Sequence, residues 1–142
     1  MAGTYEEART AIKTALATVA ITSPIVQSIK KVYEYPPATL QDRPCFVMWG
    51  SEMDAEWMMG GLVDERVHTE HFQLFLQDSD IDQGFKLVMA YRAALLTALK
   101  TQGGLGGHAT VERLRGGRPA ELTYDAKYIG AEFFLTFHIK GF

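Results

Sequence analysis

The stretch Val67-His68-Thr69-Glu70-His71-Phe72-Gln73-Leu74-Phe75-Leu76-Gln77-Asp78, together with the run that follows it to residue 100, decides how this chain is read. Phe72, Leu74 and Leu76 recur at every second position and Thr69, His71, Gln73 and Gln77 fall between them, which is the alternation of a half-buried strand. On the apolar parity further upstream stand Arg66, His68 and Glu70, so that face is expected to turn charged as the strand outruns its core. The chain then passes through Asp78-Ser79-Asp80, where Ser79 or Asp80 caps a helix and Asp82 adds negative charge near the positive end of its dipole. On a helical wheel Phe85, Val88, Met89, Leu95, Leu96 and Leu99 share one arc, widened by Leu87, Tyr91, Ala94 and Ala98. So wide an arc calls for two partners: the sheet, and either the first helix or a neighbouring subunit.

Upstream, Thr4 and Glu7 have capping-box spacing, and Tyr5, Ala8, Ile12, Ala15, Leu16 and Val19 recur at helical intervals, predicting a helix over residues 4–20. Ser23-Pro24 ends it, and residues 31–35 read as a short strand closed by Pro36-Pro37. Pro44 introduces a β-type run over residues 45–51. Residues 52–64 then form a long hairpin in which Trp57, Met58, Met59 and Leu62 stand beside Gly60-Gly61. These side chains either fold back onto the core or make an exposed apolar patch that wants a partner. Downstream, Gly103-Gly104-Leu105-Gly106-Gly107 predicts a glycine helix cap and a flexible turn. Residues 109–114 read as a strand and Gly116-Gly117-Arg118-Pro119 as a turn. Ile129, Ala131, Phe133, Leu135, Phe137 and Ile139 alternate with mostly polar residues in the clearest strand of the chain. The sum is an α+β fold: a two-layer sandwich with a mostly antiparallel sheet of about four to five strands, covered on one face by two helices, and a long projecting hairpin.

At 142 residues and 47% hydrophobic content the chain suits a single domain, residues 1–142. A net charge of −3 gives no overall electrostatic case for nucleic acid, although Arg113, Arg115 and Arg118 form a local basic cluster that reads as a solvated edge or as a surface facing phosphates. The one cysteine, Cys45, rules out an internal disulfide, is compatible with a reducing compartment and reads as a small core residue. No run approaches the ~20 apolar residues of a membrane span, and the N-terminal stretch is acidic where a signal peptide is basic, so a soluble protein made in the cytoplasm is expected.

Asp78, Asp80 and Asp82 imitate the start of a calcium loop, but the glycine falls one place late at Gly84 and Met89 stands where the bidentate glutamate belongs. Helix capping explains them better. His68 and His71 lie three apart on a strand and so face opposite sides, and His108 and His138 have no acidic or thiol companion in sequence. The glycines at 103–107 follow a helix, whereas a phosphate loop follows a strand. Neither a nucleophile elbow nor a zinc-protease helix nor a paired-cysteine motif is present. No cofactor, no metal and no enzymatic activity are expected.

The order of features has a counterpart elsewhere. An N-terminal helix is followed by Val32-Tyr33-Glu34-Tyr35-Pro36-Pro37, then by Arg43-Pro44-Cys45-Phe46-Val47 entering a strand. A helix ending in an alanine- and leucine-rich run and glycines precedes a closing strand, Tyr128-Ile129-Gly130-Ala131-Glu132-Phe133. In these features the chain resembles, over nearly its whole length, the tail-terminator proteins of long-tailed bacteriophages, also called tail-completion or head-tail joining proteins. The resemblance implies a small α+β structural subunit that closes as a homo-oligomeric ring, commonly hexameric, on the end of the tail tube. There the ring stops tube polymerisation, presents a joining surface to the head and lets DNA pass through its lumen. The implied partners are copies of the chain itself, the tail-tube protein and head-connector or neck proteins, with transient, non-specific passage of DNA and no membrane. Assembly would take place in the host cytoplasm and the product would reside in the neck of the virion. Trp57, Met58, Met59, Leu62 and Tyr91 are then expected at contacts with the tube or the next subunit, and Arg113, Arg115 and Arg118 facing the lumen. The alternatives are another neck or head-completion protein, or a small ligand-binding or enzymatic α+β domain with an internal pocket.

Overall fold

The computed structural model describes residues 5–54, 57–58, 61–62, 66–76, 80–106 and 109–139. In chain order its elements are α1 (Tyr5–Ala17), β1 (Ala20–Ile21), β2 (Gln27–Ser28), β3 (Lys31–Tyr33), β4 (Cys45–Asp54), β5 (Trp57–Met58), β6 (Gly61–Leu62), β7 (Arg66–Phe75), α2 (Ile81–Gly106), β8 (Ala109–Gly116), β9 (Ala120–Thr123) and β10 (Lys127–Ile139). The strand with the strictest alternation, β10, sits inside the sheet: β7 pairs with one side of it, and β8 and β9 pair with the other. The main sheet runs β3-β4-β7-β10-β8, with β9 also on β10; β3 and β4 are parallel and the other pairs antiparallel. The fold is therefore α+β with two helices and a mixed sheet. Two further strand pairs, β1 with β2 and β5 with β6, stand apart from it.

One face of the sheet and one side of each helix make the core. Phe46 and Met48, Phe72 and Leu74, and Ala131, Phe133, Leu135 and Phe137 supply the sheet's part. Ala8, Ile12, Ala15 and Leu16 come from α1, and Leu87, Val88, Tyr91, Leu95 and Leu99 from α2. Phe72 lies between Phe46 and Phe133, with ring centroids 5.7 and 5.4 Å away. Full burial of side chains of this size contributes roughly 1.5–3 kcal/mol each, so this packing is the main source of stability. A smaller cluster on the other face, Leu40, Cys45, Val47 and Phe75 with Tyr33, Leu122, Tyr124 and Tyr128 against it, is closed over when the Tyr124 hydroxyl donates to the Pro37 carbonyl. Burial there pushes the Cys45 thiol up to about 12, so the cysteine is the inert core residue its sequence context suggests. Gly130 is dictated by this packing, since a Cβ at that position would lie 1.8 Å from the Leu74 carbonyl oxygen.

The helix start agrees with the sequence: Asp80 caps α2, its Oδ1 accepting from the Asp82 amide at 3.1 Å and its carbonyl from the Gly84 amide at 2.7 Å. Three expectations are corrected. The helix ends inside the glycine run, at Gly106, but among the described residues there the left-handed one is not a glycine: it is Leu105, with φ 47° and a fully buried side chain. Gly116-Gly117-Arg118-Pro119 does not reverse the chain, because β8 before it and β9 after it pair antiparallel with successive parts of β10. Gly116 and Gly117, at φ 100° and 83°, make an irregular step in one interrupted strand, fixed by the Gly117 amide donating to the Glu132 carbonyl at 2.8 Å. Finally, the parity carrying His68 and Glu70 does not leave the core, since both side chains are buried.

Candidate functional site

The burial of Glu70 has a specific cause. Helix α1 crosses the inner face at that level, and it brings two partners from distant positions. The Tyr5 hydroxyl donates to Glu70 Oε1 at 2.8 Å and Arg9 Nε donates to the same oxygen at 3.2 Å. Arg9 in turn donates to the Glu34 carbonyl, lies 3.8 Å from the Glu34 carboxylate and packs 4.9 Å from the centre of the Tyr35 ring. His68 is held between Tyr5 and Phe137, with centroids 4.7 and 5.5 Å away, and its Nδ1 is 3.0 Å from Ser51 Oγ. Among the described residues no side chain donates to Glu70 Oε2, and the Gly50 backbone adds to the carboxylate's hydrogen bonding. Burial raises the Glu70 carboxyl above the usual carboxylate range, and the Tyr5 hydrogen bond and the Arg9 charge offset only part of this. Ser51 and His68 are within hydrogen-bond distance, but the histidine is enclosed by rings, so the pair has the character of a core fastening and not of a nucleophile with its base.

The outer face of the sheet is ordered in rows that cross the strands. Gly50, His71, Phe134 and Arg115 form one row, and Glu52, Thr69, Thr136 and Arg113 the next. His71 stacks on Phe134 with centroids 4.8 Å apart, and the Arg115 guanidinium lies 5.0 Å from the same ring. Trp49, displaced at the β4 bulge, donates to Gln73 at 2.7 Å, and Gln73 donates to Glu132 at 2.8 Å. At the far end His138 Nε2 lies 2.7 Å from Glu112 Oε2. The small threonines leave two shallow hollows that share Glu52 and Thr69. One of 470 Å³ is bounded by Trp49, His71 and Arg115, and one of 530 Å³ by Glu112, Arg113 and His138. Of the three arginines singled out in sequence, Arg113 and Arg115 thus share this face on β8, while Arg118 is exposed on the loop beyond the glycine step. Among the described residues no group of three or more histidine, cysteine, aspartate or glutamate side chains is placed to hold a metal, and no helix is long and apolar enough to cross a membrane.

A third surface lies on α2. Ile81, Phe85, Met89 and Leu96 are 60, 40, 45 and 44% exposed, and their spacing puts them in one stripe beside the buried arc. Arg92, within that stripe, donates to the Gly117 carbonyl at 3.3 Å, so the stripe overlooks the β8 side of the sheet. Tyr91, expected at a contact with another chain, is instead a core residue: it is fully buried and its hydroxyl donates to Gln27 at 2.7 Å. Of the other expected contact residues, Trp57 pairs through its backbone with Leu62, and Met58 with Gly61, while Met59 lies outside the described residues. Helical periodicity reported the full width of the apolar arc but could not say which part the chain covers itself.

No family model matches the chain, and no curated protein matches it.

Proposed function

We propose that this chain is a ring-forming structural subunit of the tail-terminator kind, which closes on the end of a phage tail tube, stops its growth and offers a joining surface to the head. The observation that carries this reading is the α2 stripe: Ile81, Phe85, Met89 and Leu96 stay exposed together along one side of a single helix, whereas the other exposed large apolar residues, Ile25, Val26, Tyr35 and Trp49, lie elsewhere in the chain. An exposed row of apolar side chains of this kind, interrupted here by Arg92, is satisfied by contact with another chain, and repeated heterologous contact between identical subunits closes a ring. The order of sequence features that resembles the terminator proteins supplies the identity of the assembly. In this reading the architecture is a two-layer sandwich, and β4 and β7 continue through β5 and β6 as a projecting hairpin whose Trp57, Met58, Met59 and Leu62 meet the tube. Arg113 and Arg115, balanced by Glu52, Glu112 and Glu132, suit a lumen through which DNA moves without being held, because tight phosphate contacts would retard its passage. The protein performs no reaction, takes no cofactor and works in the virion neck after assembly in the host cytoplasm.

The test is light scattering over a wide concentration range with negative-stain images of the same samples, repeated with purified tail tubes. Rings or capped tube ends are expected, and Met89→Glu should abolish them while leaving circular dichroism unchanged. A chain that stays monomeric and leaves tubes uncapped overturns the reading. The hollow beside Trp49, His71 and Arg115 carries the second reading, a small-ligand domain, which a large thermal shift with nucleotides or sugars would favour.

A further inference from the structure

Among the described residues each end of the main sheet has an open edge. The strand order ends at β8, and among the described residues no strand pairs with its far side. At the other end β3 covers β4 only along Cys45, Phe46 and Val47, so residues 50–54 have no neighbour among the described strands on the side away from β7. Isolated edges of this length are templates for further pairing, and proteins blunt them with charge or with bulges. Here β4 carries Glu52, and β8 carries Arg113 and Arg115 beside a Glu112 that lies against His138. Glu52 is in register with Thr69, Thr69 with Thr136, and Thr136 with Arg113, so Glu52 and Arg113 stand at one level on one face at opposite ends of the row. Arg115 lies one row further along β8, and Asp54 one row further along β4 in the opposite direction.

Resting on the ring reading above, we infer that neighbouring subunits join by strand addition, the free edge of β8 pairing with residues 50–54 of β4 in a second copy of the chain. Strand direction permits it: β4, β7, β10 and β8 alternate antiparallel, so a β4 placed beside β8 continues the alternation. Side-chain parity permits it as well. With Arg113 opposite Glu52 of the next copy, Leu114 falls opposite Ser51, and both of these face the helix side of their sheets. The contact is heterologous, since it joins the β8 edge of one copy to the β4 edge of the next, and so each subunit keeps one edge free until the ring closes. The exposed stripe of α2 overlooks the same β8 edge, through Arg92 and Gly117, so the backbone contact and the apolar contact form one continuous surface. The open backbone edge thereby gains partners for its amides and carbonyls, and the opposed charges set which edge meets which.

Charge exchange on the full-length chain tests this, read by light scattering and negative stain at low salt. Arg113→Glu and Glu52→Arg should each weaken assembly about tenfold or more, because each opposes like charges at every contact. The double variant Glu52→Arg with Arg113→Glu should recover it, and so should an equimolar mixture of the two single variants, in which only unlike subunits attract. Hydrogen exchange should slow on assembly in β8 and in residues 50–54 together. If both single variants form rings as strongly as the unmodified chain, the ring stands and strand addition is wrong. If Arg113→Glu fails to assemble while Glu52→Arg behaves as the unmodified chain, β8 meets some surface other than β4 and the inference is overturned. An unmodified chain that is monomeric at all concentrations and on tubes removes the ring reading and this interface with it.

Discussion

The two faces of β7 hold the same kind of partnership in opposite surroundings. On the inner face Glu70 meets Arg9 at 3.2 Å, with side chains 0 and 7% exposed; on the outer face His71 meets Glu132 at 3.6 Å, with side chains 31 and 46% exposed. Neighbouring positions of one strand thus carry a pair enclosed between helix and sheet and a pair on an open face, where water reaches the Glu132 carboxylate although the His71 Nε2 atom is itself covered. In the interior each charge depends on its partner because desolvation is costly, whereas on the outer face solvent screens the Glu132 carboxylate. What separates them is the helix laid over one face, and the distinction lies in surroundings more than in distance.

The largest expected effect comes from breaking the inner pair on one side. Arg9→Ala leaves Glu70 buried without its cation and should cost about 3–5 kcal/mol in urea unfolding. Replacing both groups, Arg9→Met with Glu70→Leu, should recover most of that loss; a double variant as unstable as the single would show that the pair itself, and not the stranded charge, carries the stability. Next in size is the dependence on pH. Burial raises the Glu70 carboxyl above its ordinary value of 4.5, so the folded chain holds this proton where the unfolded chain has released it. The group's contribution is complete below 4.5 and is lost as the pH rises through the folded value. Glu70→Gln should flatten that decline in unfolding curves taken from pH 4.5 toward neutrality. Smallest is the outer face: Glu132→Ala should change stability by no more than about 0.5 kcal/mol, and added salt should erase the difference. A larger effect would mean that the chain from Trp49 through Gln73 to Glu132 behaves as a network and not as independent surface contacts.

Local pattern made the elements legible and left the long-range partners hidden. Alternation placed β10 and the buried parity of β7, and the Asp80 cap marked the start of α2, because both signals are complete within a few residues. The burial of Glu70 depends on Arg9, 61 residues away, and no periodicity reports a partner at that distance. Tyr91 stands at the margin of the apolar arc, where periodicity does not tell a core position from a contact with another chain; in the fold it joins the main core and its hydroxyl meets Gln27. The glycines at 116 and 117 carry the composition of a turn, yet a turn and an irregular strand step both need positive φ, so the residue types alone do not distinguish them. The α2 stripe was visible as apolar content, but its exposure follows from where α1 and the sheet stop covering the helix.

The position of β10 has a consequence for the order in which the molecule is made. It is the last strand in the chain order and also the one against which β7, β8 and β9 all pair. During synthesis β4 and β7 emerge first and find each other, but their apolar face and that of α2 then wait for Phe133, Leu135 and Phe137 to leave the ribosome. The sheet is therefore completed in one step, when β10 becomes available, and not gradually. A chain truncated before residue 127 should leave the edges of β7 and β8 and the core phenylalanines open to aggregation, which restoring residues 127–139 should suppress.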